Sequence, residues 1–82
     1  MDARDKEIYE AITELLDPLN TENIELKPGT DISGDLNIDS VSVMDFVMEV
    51  EDKFEIDIPL NILSDTRTIA ELIDVVKTRS GA

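Results

Sequence analysis

Gly34-Asp35-Leu36-Asn37-Ile38-Asp39-Ser40-Val41 ends a stretch without periodicity and opens one with a strong helical period. Asp39 is among the residue types that best cap a helix, because its carboxylate accepts an orphan backbone N–H of the first turn. Val43, Phe46, Val47, Val50 and Phe54 then recur at spacings of three and four. That pattern predicts a helix from about Ser40 to Phe54 with this stripe turned inward. Ser40 falls at the helix mouth, where free N–H groups and the positive dipole end favour an anion such as phosphate. The chain has no His and no Cys, so the serine lacks the usual activating base and reads as a point of attachment, not a catalyst.

Upstream, Ile8, Ile12, Leu15, Leu16 and Leu19 share one helical face. Asp2 and Asp5 suit the first turn of that helix, and Pro18 stops it near Leu16 or Asp17. From Asn20 to Ile38 no period is sustained, and Pro28, Gly29 and Gly34 punctuate a loop. A loop of about 20 residues is long for a small domain and tends to carry function. Ile24, Leu26, Ile32, Leu36 and Ile38 are expected to pin it to the core. Downstream, Pro59 can start a short helix or turn through Leu60 to Leu63. Thr68-Ile69-Ala70-Glu71 is a capping-box sequence that announces a last helix with the stripe Ile69, Leu72, Ile73 and Val76, and Lys77 and Arg79 suit its C-terminal end. Neither strand alternation nor an internal repeat is visible. The expected fold is all-α: three main helices and one short helix, in a single domain over 1–82 with its core at about 3–78. Arg79 to Ala82 are expected to fray.

Charge narrows the partners. Twenty acidic residues against 7 basic ones give a net −13, which disfavours nucleic acid and anionic membrane surfaces and favours basic protein surfaces. High net charge is one mark of disorder, but 41% hydrophobic residues at helical spacing argue against it. No run approaches the ~20 apolar residues of a membrane span, so membrane insertion is not expected. The start, Met1-Asp2-Ala3-Arg4-Asp5-Lys6, lacks the basic-then-apolar order of a secretion signal. With no cysteine there is no disulfide framework, and a monomeric, cytoplasmic protein is the expectation.

Several of these segments together resemble the acyl carrier proteins and, more broadly, the phosphopantetheine-dependent carrier proteins. The matching pieces are Asp35-Leu36-Asn37-Ile38-Asp39-Ser40, the acidic helix end Glu49 to Ile56, Ile58-Pro59, and Thr68-Ile69-Ala70-Glu71-Leu72. Each alone is weak; their order over nearly the whole chain is specific. The resemblance implies that Ser40 receives phosphopantetheine from coenzyme A through a phosphopantetheinyl transferase and Mg²⁺. The arm ends in a thiol that carries acyl groups as thioesters between the enzymes of fatty acid, lipid or polyketide biosynthesis. It implies that Asp39 orders the site, and that Val41, Met44, Asp45, Met48, Glu51 and Asp52 form the face where acyl-transferring, synthase or ligase enzymes dock through basic patches. An aliphatic interior that shelters part of the acyl chain is a further expectation.

Two positions and one segment depart from the family. Asn37 replaces a common glycine, though asparagine is the residue that best tolerates the same positive φ. Ser42 stands where many relatives have an acid. Leu60-Asn61-Ile62-Leu63 is apolar where many fatty-acid carriers are acidic, and either enlarges a chain pocket, contacts one specialised enzyme or simply packs the core.

Rival readings are few. Asp31 to Ser42 places oxygen-bearing residues in the order of a calcium loop, but Leu36 takes the position that needs glycine and Ser42 the one that needs a bidentate glutamate, so no dedicated metal site is expected. An enzyme is not expected either, because Ser40 has no base and a bundle this small leaves little room for a cleft. An aminoacyl or peptidyl carrier is the alternative within the superfamily. A helical interaction domain that carries nothing is the alternative outside it: it explains the stripes and the acidic face, but not the order of the motifs.

Overall fold

The structure, a computed structural model, describes residues 2–80. Asp2 caps the first helix, α1 (Ala3–Leu16), by accepting the Asp5 N–H at 2.8 Å. Pro18 lies in the single 3₁₀ turn Asp17–Leu19 that follows, where its missing N–H costs nothing. The connection beyond is not loose. Asn20 closes on Ile24 through both its amide nitrogen and its amide oxygen, Tyr9 donates to the Leu26 carbonyl, and the buried Thr30 accepts the Lys27 N–H at 2.8 Å.

The connection expected to be irregular up to Ile38 contains one short helix, α2 (Ile32–Asp35). Asp31 caps it through the Gly34 N–H at 2.9 Å, and Ile32 and Leu36 are buried on either side. A Cβ on Gly34 would stand 3.1–3.2 Å from the Asp31 carboxylate, so the glycine lets the cap approach. Asn37 then adopts φ 55°, the left-handed conformation that the sequence suggested asparagine would accept.

Helix α3 runs from Ser40 to Phe54, as the periodicity predicts, with Phe46, Val47 and Val50 buried and Val43 and Phe54 half-buried. It ends at Glu55, a non-glycine residue at φ 55° whose N–H bonds the Glu51 carbonyl. Helix α4 (Leu60–Asp65) starts after Pro59, and α5 (Ile69–Arg79) opens with both halves of the Thr68–Glu71 capping box formed. The long connection is stitched to this entrance: Ile69 N–H donates to Thr30, Ala70 N–H to Pro28, Ile32 N–H to Arg67, and an antiparallel bridge pairs Asp31 with Thr68. All three first-turn N–H groups of α5 are therefore engaged.

The fold is all-α, with α2 added to the expected set. Helix α1 packs on α5 and α3, and Ile8, Ile12, Leu16, Phe46, Val50, Ile69, Leu72 and Val76 fill one core. At its edge Lys77 pairs with Asp2 and Asp5 at 3.3 and 3.0 Å. Arg79 and Ser80, expected to fray, are tied down: Arg79 donates to the Asp57 carbonyl, and Ser80 accepts from Arg4 at 2.9 Å. Gly81 and Ala82, the rest of that expected tail, lie outside the described residues. No helix among the described residues is long and apolar enough to cross a membrane.

Candidate functional site

The start of α3 is built differently from that of α5. Asp39 accepts the Ser42 N–H at 2.8 Å and, through its carbonyl, the Val43 N–H at 3.0 Å. The Ser40 and Val41 N–H groups, and the Ser40 hydroxyl, have no hydrogen-bond partner among the described residues. Ser40 is exposed. Its oxygen is thus free and open to water, with unengaged N–H groups beside it at the positive end of a 15-residue helix. The Ser42 N–H, joined by the Ser42 hydroxyl, holds the Asp39 carboxyl below its ordinary value, so Asp39 is a carboxylate at neutral pH.

Next to Ser40 a groove opens between the start of α3 and α4. Ile38, Asp39, Ser40 and Met44 line one side, and Leu60, Leu63 and Arg67 the other. Inward it meets a partly enclosed cavity of about 40 Å³ lined by Val43, Phe46, Leu63 and Leu72 among others. Ser33, Thr66 and Arg67 line both spaces. The apolar run in α4 divides its work: Leu63 faces the groove and cavity, Ile62 packs against the core, and Leu60 is 68% exposed.

The outer face of α3 carries Val41 (70% exposed), Met44 (43%) and Met48 (61%), interleaved with the exposed acids Asp45 and Asp52. These five belong together. Glu51, grouped with them by sequence, lies about two turns along α3 from Met44; it is half-buried, and its carboxylate accepts the Ile58 N–H at 2.7 Å. Arg67 was not singled out by sequence, because its place in the groove depends on the pairing of Asp31 with Thr68 across the long connection.

The carboxylates of the calcium-like loop serve the backbone. Asp31 caps Gly34, and Asp35 accepts the Asp31 N–H at 2.9 Å. Among the described residues no three acidic side chains are grouped to hold a metal ion.

The family described as "Phosphopantetheine attachment site" matches residues 6–76. Curated relatives agree with it along most of the chain. An acyl carrier protein of Picosynechococcus is 28% identical over 78 residues, 94% of this chain and 96% of its own length. One from Thermobifida fusca is 30% identical over 74 residues, covering 89% of this chain and 94% of the relative. A probable acyl carrier protein of Caulobacter vibrioides is 37% identical over 60 residues, 70% of each chain.

Proposed function

Because this chain belongs to the phosphopantetheine attachment site family, we propose that Ser40 bears the arm and that the protein is an acyl carrier working among cytosolic enzymes of fatty acid, lipid or polyketide biosynthesis. The reading is supported most by one observation: the Ser40 hydroxyl is exposed and unbonded at the mouth of α3, beside an open groove. The names of the curated relatives favour acyl over aminoacyl cargo.

The residues present suit the group. Asp39 takes up the Ser42 N–H and leaves those of Ser40 and Val41 free for the phosphate oxygens. Attachment joins the Ser40 oxygen to the phosphorus that bears pantetheine in coenzyme A. The bond from that phosphorus to the adenosine bisphosphate oxygen breaks, and this leaving group keeps the electron pair; the serine proton passes to the transferase. The attached arm supplies a thiol, which no residue of this chain offers.

Val41, Met44 and Met48 offer small apolar anchors, while Asp45 and Asp52 steer a basic partner surface toward them. The chain's contribution is tethering: a cargo held near the docked enzyme reaches an effective concentration of order mM without any new contact. The whole chain acts as one carrier domain and as a monomer.

Incubation with coenzyme A, Mg²⁺ and a broad-specificity phosphopantetheinyl transferase tests the attachment. Intact mass is expected to rise by one phosphopantetheine in the wild type and to stay unchanged in Ser40→Ala. No gain in the wild type, or an equal gain in the variant, refutes the reading.

A further inference from the structure

Seven basic residues serve this chain, and most are committed. Arg4 donates to Ser80, Lys27 pairs with Glu25, Lys77 with Asp2 and Asp5, and Arg79 with the Asp57 carbonyl. The Arg67 guanidinium has no hydrogen bond or ion pair among the described residues. Its backbone is fixed on both sides, the carbonyl accepting the Ile32 N–H at 2.9 Å and the N–H donating to Glu71 at 3.2 Å. Among the described residues it is the one basic residue lining either the groove at Ser40 or the cavity behind it.

We propose that Arg67 is a specificity-determining residue that receives the free carboxylate of a short acyl cargo, a reading that rests on attachment at Ser40. Three observations support it. Arg67 lines both the groove and the cavity behind it, whereas Ser40 lines only the groove, so Arg67 borders the space open to a folded-back arm. The phosphate oxygens already have the free Ser40 and Val41 N–H groups beside them. The cavity, about 40 Å³, takes no more than a methylene or two, and a long alkyl chain would have to force the helices apart.

A guanidinium matches a carboxylate through two parallel N–H bonds. The sign of the effect is diagnostic. On a chain of net −13, an added carboxylate repels the rest of the protein and disfavours the folded state unless a cation meets it.

The test compares three forms of the protein after attachment is verified by mass: thiol-ended, butyryl-loaded and succinyl-loaded, the acyl groups joined through non-hydrolysable amides. The succinyl form is expected to melt about 2–4 °C above the butyryl form at neutral pH, the size of one exposed charge-assisted contact in a small domain. Arg67→Gln is expected to abolish that difference and Arg67→Lys to retain part of it. The Arg67 Nε–H resonance is expected to move only in the succinyl form.

A succinyl form that melts at or below the butyryl form overturns the inference, as does a difference that survives in Arg67→Gln. A resonance already shifted in the thiol-ended form assigns Arg67 to the phosphodiester and overturns it too. Failure to attach the arm at all overturns both this inference and the attachment reading; attachment with equal melting of the loaded forms overturns only this one.

Discussion

The Glu51 carboxylate accepts the Ile58 backbone N–H at 2.7 Å, while the Glu51 carbonyl accepts the N–H groups of Glu55 and Ile56. One residue thus ties the end of α3 to the strap that buries Ile58 and leads into α4. An acid that the sequence places on the docking face also serves as a clamp within the fold. Removing it leaves an N–H without an acceptor in a part-buried place. Glu51→Ala is expected to cost about 1–3 kcal/mol in urea unfolding, and Glu51→Gln, which keeps an acceptor oxygen, clearly less.

Asp45 and Asp52 are exposed acids with no comparable bond. Asp45→Lys and Asp52→Lys are expected to leave the melting temperature unchanged or slightly raised, since each relieves self-repulsion. Each is also expected to slow transferase-catalysed attachment several-fold at low salt, an effect that fades as salt screens the encounter. Initial rates measured across a salt series check this.

Glu55 sits at φ 55° as the C-cap of α3, a conformation that costs a side chain with a Cβ more than it costs glycine. Glu55→Gly is expected to stabilise the fold by about 0.5–1 kcal/mol, read as a higher urea midpoint with an unchanged slope.

The pH dependence has a definite sign. Backbone N–H groups hold Asp2, Asp39 and Glu71 below their ordinary values, chiefly those of Asp5, Ser42 and Thr68 respectively. A carboxyl depressed by folding adds stability above its unfolded value, near 3.8 for Asp39, and loses it as pH falls through the lower folded value. Lys77 is raised by its bonds to Asp5 and Asp2, so its contribution is complete below 10.5 and fades as pH rises through the folded value. The melting advantage of wild type over Asp39→Asn is therefore expected to shrink below about pH 4. The advantage over Lys77→Met is expected to shrink in strong alkali, as Lys77 loses its proton, and also in acid, as its partner Asp2 gains one. Paired melting curves across pH measure both.

Much of the site was legible because its determinants are local. Asp39 and the stripe from Val43 to Phe54 announce α3 within a few residues of Ser40, and Thr68 and Glu71 announce α5 three residues apart. What escaped depends on distant parts of the chain. Ile32-Ser33-Gly34-Asp35 has no helical period, and α2 forms because Asp31 caps it and because Ile32 and Leu36 are buried beside it. The role of Glu51 requires Ile58 to turn back onto α3. Arg67 reaches the groove only because its carbonyl meets the Ile32 N–H. A lone arginine just before a capping box was the available signal, and it says nothing of a groove without the fold.

Carrier function rests on the Ser40 hydroxyl. Fragment-ion mapping of the protein purified from its own cells tests it most directly, because Ser33, Ser42, Ser64 and Ser80 offer other hydroxyls. The predicted result is phosphopantetheine, bare or acylated, on the peptide that holds Asp39-Ser40-Val41, with its site at Ser40. An adduct on any other serine, or its consistent absence from that peptide, contradicts the account.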